Sequence, residues 1–251
     1  MARVETILQG FSLGTDQGNI AFCGVTLIEG TRRTLVDVAH AGRRQLLLQR
    51  LAERGLTPDD IDCIFLTHAH WDHMVNVDLF PNAKVLIHPA EREYIKHPSE
   101  KDWATLHYAT LAIESHQIQE VREGEEVDDG VRVIETPGHS KGSMGLVLQS
   151  DAGTSAVCGD ALPNGASVQT GMPRLVFWDV EAARNSIRKL LDTAQAFYPG
   201  HDRAFRVDVG RVKYLQATGV KVFGWPEAGD GEGGPGVSYA AEPPREAQVF
   251  V

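Results

Sequence analysis

The chain is poor in cysteine, poor in aromatic residues and short of positive charge. Its three cysteines, Cys23, Cys63 and Cys158, are odd in number, widely spaced and free of any Cys-x-x-Cys pair. That pattern excludes a disulfide framework or a cysteine zinc cage and reads as reduced, buried thiols of a cytoplasmic protein. Basic residues number 24 against 34 acidic ones, a formal charge of -10. Such a balance repels phosphate backbones and anionic membrane surfaces, so nucleic acid is disfavoured as a partner. No apolar run approaches the ~18 residues of a membrane span, and the opening residues lack the apolar core of a signal peptide. The expectation is a soluble protein that acts on a small molecule.

With 251 residues and 42% hydrophobic content, the chain can build one compact domain with a real core. β-branched runs at residues 4–9, 19–29 and 34–38, punctuated by Gly10, Gly14, Gly18 and Gly30, predict three opening antiparallel strands. Residues 43–54 place Leu46, Leu47, Leu48, Leu51 and Ala52 on one side of a 3.6 period and run into Gly55, the pattern of an amphipathic helix. Thr57-Pro58-Asp59-Asp60 predicts a single capped turn. Strands at 61–66 and 84–87 then alternate with short helices near 75–80 and 90–96. Residues 103–120 read as a weakly helical insertion, a lid or substrate wall. In the second half, strands at 131–136, 143–149 and 154–159 precede a helix capped by Asp179 and running through Thr193, followed by a short strand at 196–198. Two sheets packed face to face with helices outside would bury both apolar faces. A helix at 211–216 and a flexible, Gly- and acid-rich stretch at 224–236 complete the map.

One cluster dominates the chemistry. His68-Ala69-His70-Trp71-Asp72-His73 sets four candidate metal ligands in six residues, directly after the apolar run 63–66. With 10 histidines in 251 residues, three at fixed offsets arise by chance in about one chain in 60, before the aspartate is demanded. Imidazole nitrogen and carboxylate oxygen suit zinc, iron or manganese, and a pair of such ions needs six or seven ligands. Three single residues complete that number, each following a glycine at a strand-to-loop transition: His139 in Thr136-Pro137-Gly138-His139, Asp160 in Cys158-Gly159-Asp160, and His201 in Pro199-Gly200-His201. Any one of them alone would read as a turn or cap residue; their value is joint. His40, His88, His97, His107 and His116 have no partner at ligand spacing and read as non-ligands. Asp37 is a candidate for orienting a ligand histidine, with turn capping as the alternative.

The order of these segments resembles that of the metallo-β-lactamase-fold hydrolases, with the likeness covering residues 1–208 and leaving 209–251 as a partly flexible C-terminal extension. The resemblance implies an α+β fold, a four-layer αββα sandwich, and two divalent metal ions, Zn2+ first, with Fe or Mn as alternatives. By the same likeness His68, His70 and His139 would hold one ion and Asp72, His73 and His201 the other, with Asp160 and a hydroxide between them. Asp72 and Asp160 would be the catalytic carboxylates, the hydroxide attacking a lactone or ester carbonyl and Asp72 carrying the proton onward. Thr136-Pro137-Gly138-His139-Ser140, Gly142-Ser143 and Gly200-His201-Asp202 are most similar to the N-acyl homoserine lactonase-like group. Pro163 departs from it, because many of those lactonases carry a tyrosine three residues after the bridging aspartate. Trp71, Met74, Tyr108, Phe177 and Trp178 are the candidate substrate-pocket residues, with core packing as the alternative for Trp71, Met74, Phe177 and Trp178. A thioester hydrolase of the glyoxalase II type and a small RNA-processing nuclease are the alternatives within this fold. A non-hydrolytic metal or redox module ranks last, since flavodiiron relatives carry Glu where His70 stands. A homodimer is compatible with all of these readings.

Overall fold

The computed structural model describes residues 2–16, 18–217 and 248–250. The first half contributes β1 (Arg3–Leu8), β2 (Phe11–Thr15), β3 (Gly18–Phe22), β4 (Val25–Glu29), β5 (Arg33–Val36), β6 (Cys63–Phe65), β7 (Lys84–Ile87) and β8 (Ile118–Glu120). These form a six-stranded sheet in the order β1-β4-β5-β6-β7-β8, with β2 and β3 standing apart as a hairpin. Helices α1 (Arg44–Ala52), α2 (Trp71–Met74), α3 (Pro89–Tyr94) and α4 (Ala109–Glu114) lie in its connections.

The second half adds β9 (Glu126–Asp128), β10 (Val131–Glu135), β11 (Met144–Ser150), β12 (Gly153–Gly159), α5 (Ala166–Thr170), β13 (Leu175–Val176) and α6 (Val180–Thr193). After them come β14 (Ala196–Pro199), β15 (Phe205–Asp208), β16 (Arg211–Tyr214) and β17 (Gln248–Val249). The resulting sheet runs β16-β15-β14-β12-β11-β10-β9, and β13 pairs with β17 in a separate ribbon.

Side-chain alternation along the strands builds the layers. Val36, Phe65 and Leu86 point from the first sheet toward Val133, Met144, Leu146 and Val157 of the second, forming the central core. Their neighbours Leu35, Ile64 and Val85 point the opposite way, into a cluster with Leu47 and Leu51 of α1 and Ile113 of α4. On the far side Ile134, Ala156, Cys158 and Phe197 pack against Ile187 and Leu190 of α6. The order helix, sheet, sheet, helix is the four-layer αββα sandwich. All three cysteines are buried free thiols, and burial pushes the thiols of Cys23 and Cys158 well up.

Several local readings are corrected by packing. Residues 19–29 are two strands, since the chain breaks at Cys23-Gly24, and β2 completes a hairpin with the first of them. Only Leu47 and Leu51 of α1 face the core, whereas Leu46 is 37% exposed. Residues 211–216 are not helical: β16 pairs with β15, so an edge of the second sheet captures a segment whose own periodicity was ambiguous. The insertion 103–120 holds α4 and ends in β8, the edge strand of the first sheet. The stretch 224–236 lies outside the described residues. Among the described residues no helix is long and apolar enough to cross a membrane.

Candidate metal centre

Four strand ends converge at one edge of the sandwich. β10 and β12 both lie antiparallel to β11, and β12 is parallel to β14, so His139, Asp160 and His201 all leave their sheet in the same direction. The 68–73 segment leaves β6 opposite them, and the carbonyl of Thr67 accepts from the amide of Met144 at 2.9 Å, tying the two sheets together there. Two of the glycines seen before the ligands are sterically required. A β-carbon on Gly138, at φ +132°, would overlap the backbone of Ala183, and one on Gly200 would overlap the Asp160 carboxylate.

His68, His70 and His139 form one group, Asp72, His73 and His201 another, and Asp160 joins His68 and His73 in a third; within each group the ligand atoms lie within 4.8 Å of one another. Asp160 spans the centre. Its Oδ2 is 3.1 Å from His201 Nε2 and 3.5 Å from His139 Nε2, while Oδ1 is 3.4 Å from His73 Nε2.

Outer hydrogen bonds turn Nε2 of His139, His73 and His68 inward. His139 Nδ1–H donates to the Leu175 carbonyl at 2.8 Å, which leaves the Nε2 lone pair pointing at His70 Nδ1, 3.0 Å away. His70 turns its Nε2 toward the buried carboxylate of Asp102 at 3.4 Å. His73 Nδ1–H donates to Asp37 Oδ2 at 2.7 Å. Thr67 Oγ1 donates to the same oxygen at 2.9 Å and, 3.0 Å from His68 Nδ1, accepts that ring's proton. The inward Nε2 atoms of His68 and His73 and the Oδ1 of Asp160 are buried with no hydrogen-bond partner among the described residues. Lone pairs facing one another in a buried space repel unless a cation lies between them, so the donor set fits divalent metal ions.

The electrostatics agree. Burial pushes His139 down to about 4, and burial together with His73, His70 and His139 holds His68 well below the usual histidine range. Burial alone would raise Asp160, yet His201 and His73 outweigh it and keep the carboxyl well below its ordinary value. Neutral His68 and His139 beside an ionised Asp160 are the protonation states that metal ligation needs. At His73 and His201 burial alone would lower the rings, but the surrounding acidic groups, Asp72 and Asp160 among them, raise both above the ordinary histidine value, so a metal ion there would displace protons.

Two further carboxylates carry no local sequence signature. Asp102 opens the insertion; its oxygens accept from the amides of Ala104 and Thr105, from Thr105 Oγ1 at 2.7 Å and from the Tyr94 hydroxyl at 3.0 Å, which aims it at His70. Glu91 of α3 is fully buried and accepts from Ala69 and Gly142 amides and the Ser140 hydroxyl. Asp37, foreseen as an orienting carboxylate, does hold His73 and sits at φ +58°, a strained backbone of the kind found beside functional sites. Replacing Asp102 by Ala should weaken metal binding roughly 10–100-fold, measured by competition with a chromophoric chelator. Unchanged affinity would show that His70 is oriented without it.

A cavity opens over these ligands and is lined by Trp71, Trp103, Phe177 and Pro163, with Ser12, Asn19, Asn164 and Arg174 as its polar members. Of the pocket candidates, Trp71 and Phe177 line it, and Phe177 packs on His70 and His139. Met74 is instead fully buried in the outer core of the first sheet. Tyr108 is 49% exposed and lies outside the cavity. Trp178 is turned away, against Tyr94 and the ammonium of Lys141. Trp103, the first residue of the insertion read as a lid or substrate wall, lines the cavity, whereas Arg174 and the β2–β3 hairpin residues have no local feature that distinguishes them.

The five remaining histidines are absent from the ligand groups. His88 caps α3 and contacts Glu135 at 2.9 Å, His116 reaches the Val77 carbonyl, and His97 and His107 are exposed. His40 stacks on Phe22 and meets Trp71 edge-on.

A buried cage of imidazoles and carboxylates at the open edge of an αββα sandwich is the arrangement of a metal-dependent hydrolase. The family model described as the metallo-beta-lactamase superfamily matches residues 18–201. Metallo-beta-lactamase domain-containing protein 1 of Xenopus laevis is 30% identical over 208 residues, covering 81% of each chain. An N-acyl homoserine lactonase of Bacillus thuringiensis is 29% identical over 183 residues, 70% of this chain and 68% of its own. Among solved structures, the Bacillus thuringiensis lactonase AiiA with N-decanoyl-L-homoserine at its active site aligns with a TM-score of 0.62 at 20% identity, covering 76% of this chain and 87% of its own. AidC, a dizinc quorum-quenching lactonase, aligns at 0.63 with 16% identity, covering 81% and 82%. The chain belongs to the metallo-β-lactamase superfamily and is a metal-dependent hydrolase.

Proposed function

We propose that the protein is a dinuclear hydrolase that opens a lactone or ester carbonyl, with zinc as the first choice of metal. The observation that supports this reading is the meeting of the three ligand groups at Asp160, with His139, His73 and His68 turning Nε2 inward because their Nδ1 atoms are hydrogen-bonded outside the cage. His68, His70 and His139 would hold one ion, Asp72, His73 and His201 the other, and Asp160 both. When bound, such ions supply a water that ionises near neutral pH and polarise the acyl oxygen.

The chain's own side chains do the rest. Asp72 lines the cavity with Oδ2 3.4 Å from His201 Nε2, placed to take the proton of the attacking water and hand it to the leaving alkoxide. Trp71, Trp103 and Phe177 offer apolar contact to the acyl portion and exclude water from one side of the cavity. The tyrosine of many homoserine lactonases is replaced by Pro163, and Asn164 is the adjacent polar side chain in the cavity. Lactones and esters resembling those of the lactonase relatives are therefore the leading substrates, without requiring the homoserine headgroup.

The test is a panel of lactones, simple esters, thioesters, phosphodiesters and lactams, assayed with the metal-loaded enzyme. Hydrolysis of lactones or oxygen esters at the highest kcat/KM is the expected result. Turnover confined to phosphodiesters or to thioesters would replace this reading with one of the two alternatives of the same fold.

A further inference from the structure

The cavity has a cationic end that the hydrolytic reaction does not use. Arg174 is the sole lysine or arginine among the cavity-lining residues, in a chain of formal charge -10. Arginines elsewhere are commonly matched to acids, as Arg44 is to Asp78 at 2.8 Å and Arg92 to Glu114 at 2.7 Å. Among the described residues Arg174 has no carboxylate at ion-pair distance. Among the described residues its side chain makes one hydrogen bond, from Nη2 to Asn19 Oδ1 at 3.3 Å. A guanidinium has five N–H donors in a planar fork that matches the spacing of carboxylate or phosphate oxygens.

The backbone around Arg174 is fixed from two sides. Its carbonyl accepts from the Gln248 amide at 2.7 Å, directly before the β13–β17 ribbon, whose register starts at Leu175. The next carbonyl, that of Leu175, accepts from His139 Nδ1 at 2.8 Å, which puts Arg174 one residue from the support of a metal-site histidine. Across from it, the β2–β3 hairpin presents Ser12, Asn19 and Ala21 to the cavity. Asn19 and Ala21 are two apart on one strand, and Ser12 pairs directly with Ala21 on the other, so all three share a face. Two hydrogen-bonding side chains thus accompany the guanidinium.

We propose that Arg174, with Asn19 and Ser12, binds an oxyanion group of the substrate, a carboxylate or a phosphate monoester, located away from the bond that is cleaved. This rests on the hydrolase reading and narrows its substrate class to acyl compounds with an anionic tail. The apolar side chains Trp71, Trp103 and Phe177 suit the stem between the two polar ends.

The experiment uses metal-loaded full-length enzyme and ester substrates of matched length. Mono-4-nitrophenyl adipate carries a carboxylate tail, its adipamide counterpart a neutral one, and a third ester ends in a phosphate monoester. Wild-type enzyme should prefer an anionic tail over the amide in kcat/KM, and whichever anion is favoured identifies the source. Arg174→Gln should shrink that preference roughly 10–100-fold through KM, with Arg174→Lys recovering part of it because the charge remains. Equilibrium binding of N-phenyl adipamate and N-phenyl adipamide, followed through tryptophan fluorescence, is read in parallel. If no ester is cleaved yet the adipamate binds more tightly in an Arg174-dependent way, the ester-hydrolase reading fails and the anion site stands. Equal acid-to-amide ratios in wild type and Arg174→Gln, in both readouts, overturn the anion site.

Discussion

Replacing Asp160 with alanine should cost the protein its metal and its catalysis together. Its two oxygens face His139, His73 and His201, so it is the carboxylate shared by both halves of the ligand set. Without it, Asp72 would be the one carboxylate left among the candidate ligands to balance two divalent ions, and the ions would lose the group that holds them close together. Metal content should fall by at least one equivalent per chain, and kcat/KM by about 10³-fold or more, equivalent to ~4 kcal/mol of transition-state stabilisation. His139→Ala should follow the same course. Elemental analysis and turnover on the same preparations check both, and a chelator should reproduce the loss in wild type, with recovery on adding back Zn2+, Mn2+ or Fe2+. Full activity in chelated, metal-free enzyme would refute the mechanism.

The second large effect belongs to a residue that touches no substrate. Glu91→Ala should unfold at markedly lower denaturant, because one buried carboxylate ties both ligand-bearing loops together. Oε1 accepts from the Ala69 amide at 3.0 Å, between His68 and His70, while Oε2 accepts from Gly142 at 2.7 Å and from Ser140 Oγ at 2.9 Å, just after His139. Truncation strands two backbone N–H groups in a dry interior, at about 1–3 kcal/mol each, while the Ser140 hydroxyl keeps the Ser143 hydroxyl at 2.8 Å. A total of about 3–5 kcal/mol is expected, a large share of a typical domain's stability. Glu91→Gln keeps one carbonyl oxygen but turns an amide donor toward groups that are themselves donors, so it should recover only part. Chemical denaturation of the metal-free proteins separates this from metal-linked stabilisation. A midpoint within error of wild type for Glu91→Ala would show that the clamp adds no stability.

The residues alone are most informative where the chemistry is written contiguously. His68 through His73 announce themselves because four ligands crowd one turn, a density of imidazole and carboxylate that packing or solubility does not call for. His139, Asp160 and His201 were legible only jointly, through the glycine before each, and the fold brings them beside that turn. Helix α6 was equally plain, with Asp179 accepting from the Ala182 amide at 2.6 Å as its cap. Residues whose role depends on a distant partner left no such trace. Asp102, Glu91 and Arg174 look like ordinary surface-type charges in the sequence, and only the packing of segments dozens of residues apart reveals that the first two are buried.

Order of candidate ligands, strand alternation and helix caps are local properties, set by neighbours along the chain, and the sequence by itself determined them: a layered α+β chain carrying seven candidate metal ligands. Which ring nitrogen faces inward, which carboxylate supports it, whether residues 211–214 pair as a strand, and that Met74 and Trp178 turn away from the cavity while Trp103 and Arg174 enter it, were decided only by tertiary structure. The physical reason is common to all of them. Hydrogen-bond partners and burial are set by what lies across space, and a side chain's pattern along the chain cannot specify the group that the fold will bring to meet it.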